Sequence, residues 1–315
     1  MLLGIASGLA AIYGLGSLMR PSLQSKLLEV LLRLSREKGA VNTRGPKLAA
    51  QGKVPNAVPS KRMWKRYTIT MREVNGCRVY IIAPRGATSK QHIYYLHGGE
   101  YIYGFFPQHW HFISRLVDAL GCTVTAPDYP LAPAGHVDNV FALVLPLYRE
   151  LVSQVGAANL TIMGDSSGGG MSLALAERLR DEGDPQPAHL ILLSPWLDVT
   201  MTNPAIEAVD RVDPLLGVPG LMTAGKMYAG DTNPAHPLVS PIYGDIAGLA
   251  PIALFVGAHD VLVADCRKFK GMAQARGIPL DYYEYEGMIH GWMFLGFLPE
   301  AREAFNEVVE SVKGS

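Results

Sequence analysis

The residues whose types and spacing can do chemistry are few in this chain. Gly164-Asp165-Ser166-Ser167-Gly168 is a G-x-S-x-G pentapeptide between an apolar run and a helical pattern. A strand that enters a helix through so sharp a turn needs small residues on either side of the serine. It thrusts the serine out at the helix N-terminus, where free N–H groups favour negative charge. Ser166 is therefore the candidate nucleophile. It needs a base, and the base needs an orienting acid. In strand–turn–helix architectures these follow the serine in the order acid, then histidine. Asp260 falls just past the apolar run 252–258 and His290 just past the run 280–287. Asp265 and Glu286 compete for the acid; the first suits a helix cap and the second a rim. His259 precedes Asp260 and falls outside the order. Together these residues imply acyl transfer, which generates an oxyanion that prepositioned donors must meet. Gly98 and Gly99 of "HGGEY", with the N–H of Ser167, are the candidate donors, and His97 braces the loop. Glu100 sits beside them. An ionised carboxylate aimed at the oxyanion would oppose the reaction, so its side chain is expected to turn away and to bear on substrate preference.

These groups need a scaffold that delivers them to one edge. Eight short β-rich runs recur, at 66–74, 78–84, 92–97, 122–128, 159–165, 189–196, 252–258 and 280–287. The first two alternate, as a hairpin does. Most of the later ones are continuously apolar, as strands buried on both faces are. Helical patterns separate them, among them 112–121, 171–183 and 265–277. The expectation is an α/β fold with an eight-stranded, mostly parallel, doubly wound sheet whose site lies at the strands' carboxyl ends. Residues 1–60 and about 201–245 stand outside the alternation. They are expected to form a helical cap over a catalytic domain spanning 61–315. Tyr101, Phe105, Trp196, Met288 and Trp292, all near strand ends, join Glu100 as candidate pocket residues.

Composition sets the remaining limits. At 315 residues, 49% hydrophobic and 18% charged, the chain supports a large buried core. Cys77, Cys122 and Cys266 are too few and scattered for a disulfide framework or a zinc site, which fits a cytoplasmic setting. No cofactor is implied: G-x-G-x-x-G and P-loop patterns are absent. His109 and His111, an i, i+2 pair, point apart on a helix, so no metal is expected there. The net charge is zero, yet residues 1–66 carry twelve Lys and Arg against Glu29 and Glu37, and the remainder is acidic to the same degree. No charged side chain occurs before Arg20. A cleaved signal peptide is not expected, because no basic stretch precedes the apolar one. The basic stretch after it suits the inner, anionic face of a membrane, while a capping helix on the enzyme's own surface is the alternative. Nucleic acid is excluded by the acidic body and the lack of a recognition motif. A homodimer remains open.

Four segments bring a family resemblance. "HGGEYIYG", "DYPLAPAGH" (128–136), "GDSSGGG" and "SPIYGD…APIALFVGAHDVLVAD" with "MIHGW" are similar to the motifs of the hormone-sensitive-lipase-like esterases of the α/β-hydrolase fold, from about Tyr67 onward. The resemblance implies Ser166, Asp260 and His290 as the triad, Gly98, Gly99 and Ser167 as oxyanion donors, and a small-molecule ester as substrate. The same triad also serves deacetylases, lactonases and amidases, and some ligand receptors share the fold with a triad member lost. The chain departs from the family pattern at Glu100, Pro130, Ala134 and Ser167, where glycine, arginine, glutamate and alanine are usual.

Overall fold

The computed structural model describes residues 21–314, apart from Arg36 and Ala87. The apolar stretch expected to meet a membrane lies outside the described residues. Two helices, α1 (Leu23–Ser35) and α2 (Glu37–Ala50), and the short α3 (Lys61–Arg66) lead into the first strands, β1 (Thr68–Val74) and β2 (Cys77–Ala83). Asn75 and Gly76 between them both adopt positive φ (49° and 76°), the two-residue turn that matches the twist of a hairpin. There follow β3 (His92–Leu96), α4 (Pro107–Leu120), β4 (Thr123–Pro127), α5 (Val137–Val155), β5 (Leu160–Asp165), α6 (Ser167–Glu182) and β6 (His189–Leu193). The chain ends with α7 (Ile206–Asp210), α8 (Val218–Ala229), β7 (Ile252–Gly257), α9 (Val263–Ala275), β8 (Leu280–Tyr285) and α10 (Pro299–Lys313). All eight expected strands are present.

They form one sheet in the order β1-β2-β4-β3-β5-β6-β7-β8. β1–β2 and β2–β4 pair antiparallel, and every other neighbour pair is parallel. The connections reverse direction at β3 and β5, which lie side by side although β4 comes between them in sequence. The crevice beyond their carboxyl ends is where open sheets of this kind bind ligands.

The apolar runs are explained by two cores, one on each face. Along β5 and β6, Leu160, Ile162, Leu190 and Leu192 pack into one cluster, while Met163, Ile191 and Leu193 pack into the other. Alternate residues of a strand point to opposite faces, so burying both faces leaves few polar positions, Thr161 and Asp165 among them. The first cluster takes in α5, α6 and the segment 196–246; the second takes in α4 and α10.

Candidate active site

β5 delivers Ser166 through a backbone that few non-glycine residues adopt, with φ 52° and ψ −121°. The turn is tight enough that a Cβ on Gly168 would collide with the carbonyls of Leu96 and His97 at the end of β3. Asp260 follows β7 and His290 follows β8. Their side chains converge: His290 Nε2 lies 3.0 Å from Ser166 Oγ, and His290 Nδ1 lies 2.8 Å from Asp260 Oδ2. Asp260 is fully buried and its other oxygen accepts from the N–H of Leu262 at 3.0 Å. Burial opposes a charge on His290. The Asp260 carboxylate beside it, with Asp213 and Asp165 nearby, outweighs that and pushes its pKa up to about 9.

The competing groups are engaged elsewhere. Asp265 lies in the first turn of α9, but instead of capping it accepts from Asn203 Nδ2 at 2.9 Å. Glu286 is exposed. His259 Nδ1 meets Glu29 of α1 at 3.1 Å.

The loop after β3 departs from expectation at one position. The N–H of Gly98 donates to Asp165 Oδ1 at 3.0 Å, so it is already paired and unavailable to an oxyanion. The N–H groups of Gly99, Glu100 and Ser167 make no hydrogen bond among the described residues. Gly99 has φ 131°, a conformation strained for any side chain, and Glu100 and Tyr101 follow in the left-handed region at 56° and 62°. His97 braces the loop as expected. Its Nδ1 lies 2.7 Å from the Gly98 carbonyl, and its ring stacks on Tyr129 at 4.2 Å, whose hydroxyl donates to the His97 carbonyl.

Asp165, next to the nucleophile, is a further site residue whose role its place in the pentapeptide does not reveal. It accepts from Tyr95 Oη at 2.6 Å, from Gly98 N–H and from His109 Nε2 at 3.2 Å. Burial would raise its pKa, but His109 and these hydrogen bonds hold it below the usual carboxylate range. His109 Nδ1 accepts from the Phe106 N–H, which leaves Nε2 as the donor to Asp165. One buried carboxylate therefore ties together β3, the glycine loop, α4 and the elbow. Asp213 is a second such residue. Its Oδ1 accepts from the N–H groups of Leu215 and Leu216, and its Oδ2 from that of Val261, next to Asp260.

A cleft of about 390 Å³ opens over Ser166 and His290, walled by Leu48, Pro55, Tyr103, Phe106, Leu215, Leu216 and Phe294 with Glu100 and Asp165. Of the expected pocket residues only Glu100 lines it. Tyr101 and Trp196 are buried in the first core, where Tyr101 stacks on Tyr228 at 3.6 Å; Phe105, Met288 and Trp292 are buried in the second. Their near neighbours Tyr103, Phe106 and Phe294 form the wall instead, because the turns after β3 and β8 carry the chain round by one or two residues. Glu100 is 8% exposed and has no hydrogen-bond partner among the described residues. Burial pushes its carboxyl up to about 7, against the pull of nearby His290. A cavity of about 420 Å³ between α3 and α4 contains none of these groups. Among the described residues no cluster of His, Cys, Asp and Glu could hold a metal ion.

Comparison with known proteins agrees with this geometry. Residues 93–294 match a family described by the α/β-hydrolase fold. An acetyl-hydrolase of Streptomyces hygroscopicus is 35% identical over 67% of this chain and 71% of its own length. An esterase of Acinetobacter venetianus is 31% identical over 71% of this chain and 75% of its own. Among solved structures, an esterase of the bacterial hormone-sensitive lipase family superimposes with a TM-score of 0.79 at 29% identity, covering 94% of this chain and 99% of that one. An esterase/lipase from an uncultured bacterium gives 0.80 at 27%, covering 93% and 98%. Sequence kinship over most of the chain and superposition over nearly all of it point the same way, and the chain belongs to the α/β-hydrolase fold family, among its hormone-sensitive-lipase-like esterases.

Proposed function

We propose that this esterase cleaves its substrates through an acyl-enzyme on Ser166. The observation that carries the reading is His290, which spans Ser166 Oγ at 3.0 Å and Asp260 at 2.8 Å. Ser166 Oγ attacks the ester carbonyl as His290 Nε2 takes its proton. Asp260 holds the imidazole in the tautomer with its proton on Nδ1 and stabilises the imidazolium that forms. The carbonyl oxygen becomes an oxyanion, met by the N–H groups of Gly99, Glu100 and Ser167. His290 then protonates the leaving alkoxide. In the second half it takes a proton from water, whose oxygen attacks the acyl carbon, and then returns that proton to the Ser166 oxygen as the acid is released. Gly98 serves the loop by anchoring it to Asp165.

The cleft's volume and apolar wall suit short- to medium-chain esters, in keeping with the names of the acetyl-hydrolase and esterase relatives. No cofactor takes part in this scheme. The N-terminal helices and the segment about 201–245 serve as the cap over residues 61–315, with Leu48 and Leu215–Leu216 as their contribution to the cleft. We place the protein in the cytoplasm, at the inner face of a membrane. An active-site fluorophosphonate tests the assignment. It is expected to modify Ser166, with the Ser166→Ala variant unlabelled, still folded, and lower in kcat by several orders of magnitude. An adduct on another serine overturns it.

A further inference from the structure

Helix α1 presents its faces the wrong way round for a helix that serves only its own protein. Its inward face is held largely by polar contacts. Ser22, just before it, donates from its backbone to Glu300 at the start of α10 at 2.6 Å, and the buried Ser25 donates to the same carboxylate at 3.2 Å. Glu29 meets His259, and Arg33 donates to the Val212 carbonyl. Leu28 and Leu32 add partial packing on this side. The opposite face carries Leu23, Leu27, Val30, Leu31 and Leu34, exposed by 82, 60, 51, 55 and 74%. Their spacing of i, i+4, i+7, i+8 and i+11 makes one continuous stripe along the helix. Amphipathic helices ordinarily turn such a stripe to the core. Here the fold spends polar contacts to hold it outward.

We propose that α1 docks on an anionic phospholipid surface, its leucine–valine stripe settling into the headgroup–acyl boundary. Three observations favour lipid as the occupant. The sequence segment 1–66, to which α1 belongs, carries a net charge of +10, the sign that an anionic surface attracts. The nineteen residues before Arg20 carry no charged side chain, so the sequence entering α1 is itself suited to lipid. The stripe is also small. Thirteen residues span about 20 Å, a face well short of the roughly 800 Å² per partner that a stable protein interface buries. No helix among the described residues is long and apolar enough to cross a membrane, so the helix lies on the surface. Val212, which α1 touches, lies three residues before Leu215 in the cleft wall. Docking therefore brings the cap loop close to the phase into which lipophilic esters partition.

The test is flotation of the full-length protein with vesicles of phosphatidylcholine alone and of phosphatidylcholine mixed with phosphatidylglycerol. Wild type is expected to float with the mixed vesicles and to be released by salt. Leu27→Gln combined with Leu31→Gln keeps helix propensity and charge. It is expected to lower the partition coefficient on the order of tenfold or more and to leave kcat/KM on a water-soluble ester unchanged. Phe297→Gln removes an equally exposed ring elsewhere and is expected to float as wild type does. Three outcomes overturn the proposal. Wild type does not float with the mixed vesicles; the double variant floats like wild type, which assigns binding to another segment; or wild type is a dimer that the double variant dissolves, which assigns the face to a second copy.

Discussion

Glu100 holds the most demanding position in the cleft. Its backbone is left-handed, its N–H is one of three unpaired donors beside Ser166, and its carboxyl has no partner among the described residues. A buried carboxyl that titrates near pH 7 leaves the site close to neutral in acid and negative in alkali. Glu100→Gln is expected to change kcat/KM on a neutral short-chain ester by less than about tenfold, or roughly 1.4 kcal/mol. On an ester with an anionic alcohol group it should give a clear gain, larger at pH 8 than at pH 6. A hundredfold loss on the neutral ester would mean that the carboxyl takes part in the chemistry. His290 supplies a second prediction. Only the neutral imidazole accepts the Ser166 proton, so kcat/KM rises with pH along a limb governed by a group near pH 9. Asp260→Asn removes the charge that raises this pKa. It should move the limb to lower pH while cutting the rate on the order of 10⁴; a limb that stays in place would detach it from His290. That Ser166, Asp260 and His290 meet was legible, because each follows an apolar run and their chain order suits a parallel sheet. Which residue of the glycine loop offers the further donor N–H, Gly98 or Glu100, was not. Residue type tells how much room a backbone has, and a glycine at 98 looks the same whether its N–H faces a substrate or Asp165.

At the scale of elements, Asp213 joins the loop between α7 and α8 to the loop after β7. It accepts from Leu215 and Leu216 on one side and Val261 on the other. Burial and the like charge of Asp260 push its pKa up to about 6. Asparagine offers one acceptor oxygen where the carboxylate offers two, so Asp213→Asn must strand buried N–H groups. The expected loss of stability is about 1–3 kcal/mol, read as a lower Tm. KM should rise more than kcat falls, because Leu215 and Leu216 wall the cleft. The His290 limb should also shift to lower pH, since Asp213 helps to raise that pKa; a purely structural role would leave the limb in place. Nothing in the sequence marks this connection. Its partners are backbone groups, and Val261 stands 48 residues away. The cleft wall was obscured for a related reason. Leu48 and Leu215 come from elements remote in sequence. The choice of Phe294 over Trp292 is made by a short helical turn that follows Gly291 in the left-handed region. The strands, by contrast, were plain, because burial on both faces leaves an uninterrupted apolar run.

Across the whole molecule, the two cores are not equivalent. The second takes in the sheet, α3, α4, the stretch after β8 and α10, with partial contributions from α1. The first runs without a break from the sheet through Trp196, Val199 and Ile206 into Leu216, Leu221, Ala224 and Tyr228 of the segment that carries α8. Tyr228 of α8 lies flat on Tyr101 of the glycine-rich loop. A segment rooted in this way cannot swing open as a rigid lid, because each step of the swing would strip apolar side chains from a packed interior. Substrate entry must then depend on smaller excursions, in the 211–217 loop and in side chains such as Phe106 and Phe294. Native-state hydrogen exchange separates the two cases. Amides in the body of α8 should exchange through the same rare global openings as those of β5 and β6, while the loop ahead of it exchanges orders of magnitude faster. If α8 and that loop exchanged together, far ahead of the sheet, they would form a hinged flap. Passage of substrate and product would then be timed by helix motion and not by the breathing of a few loop residues.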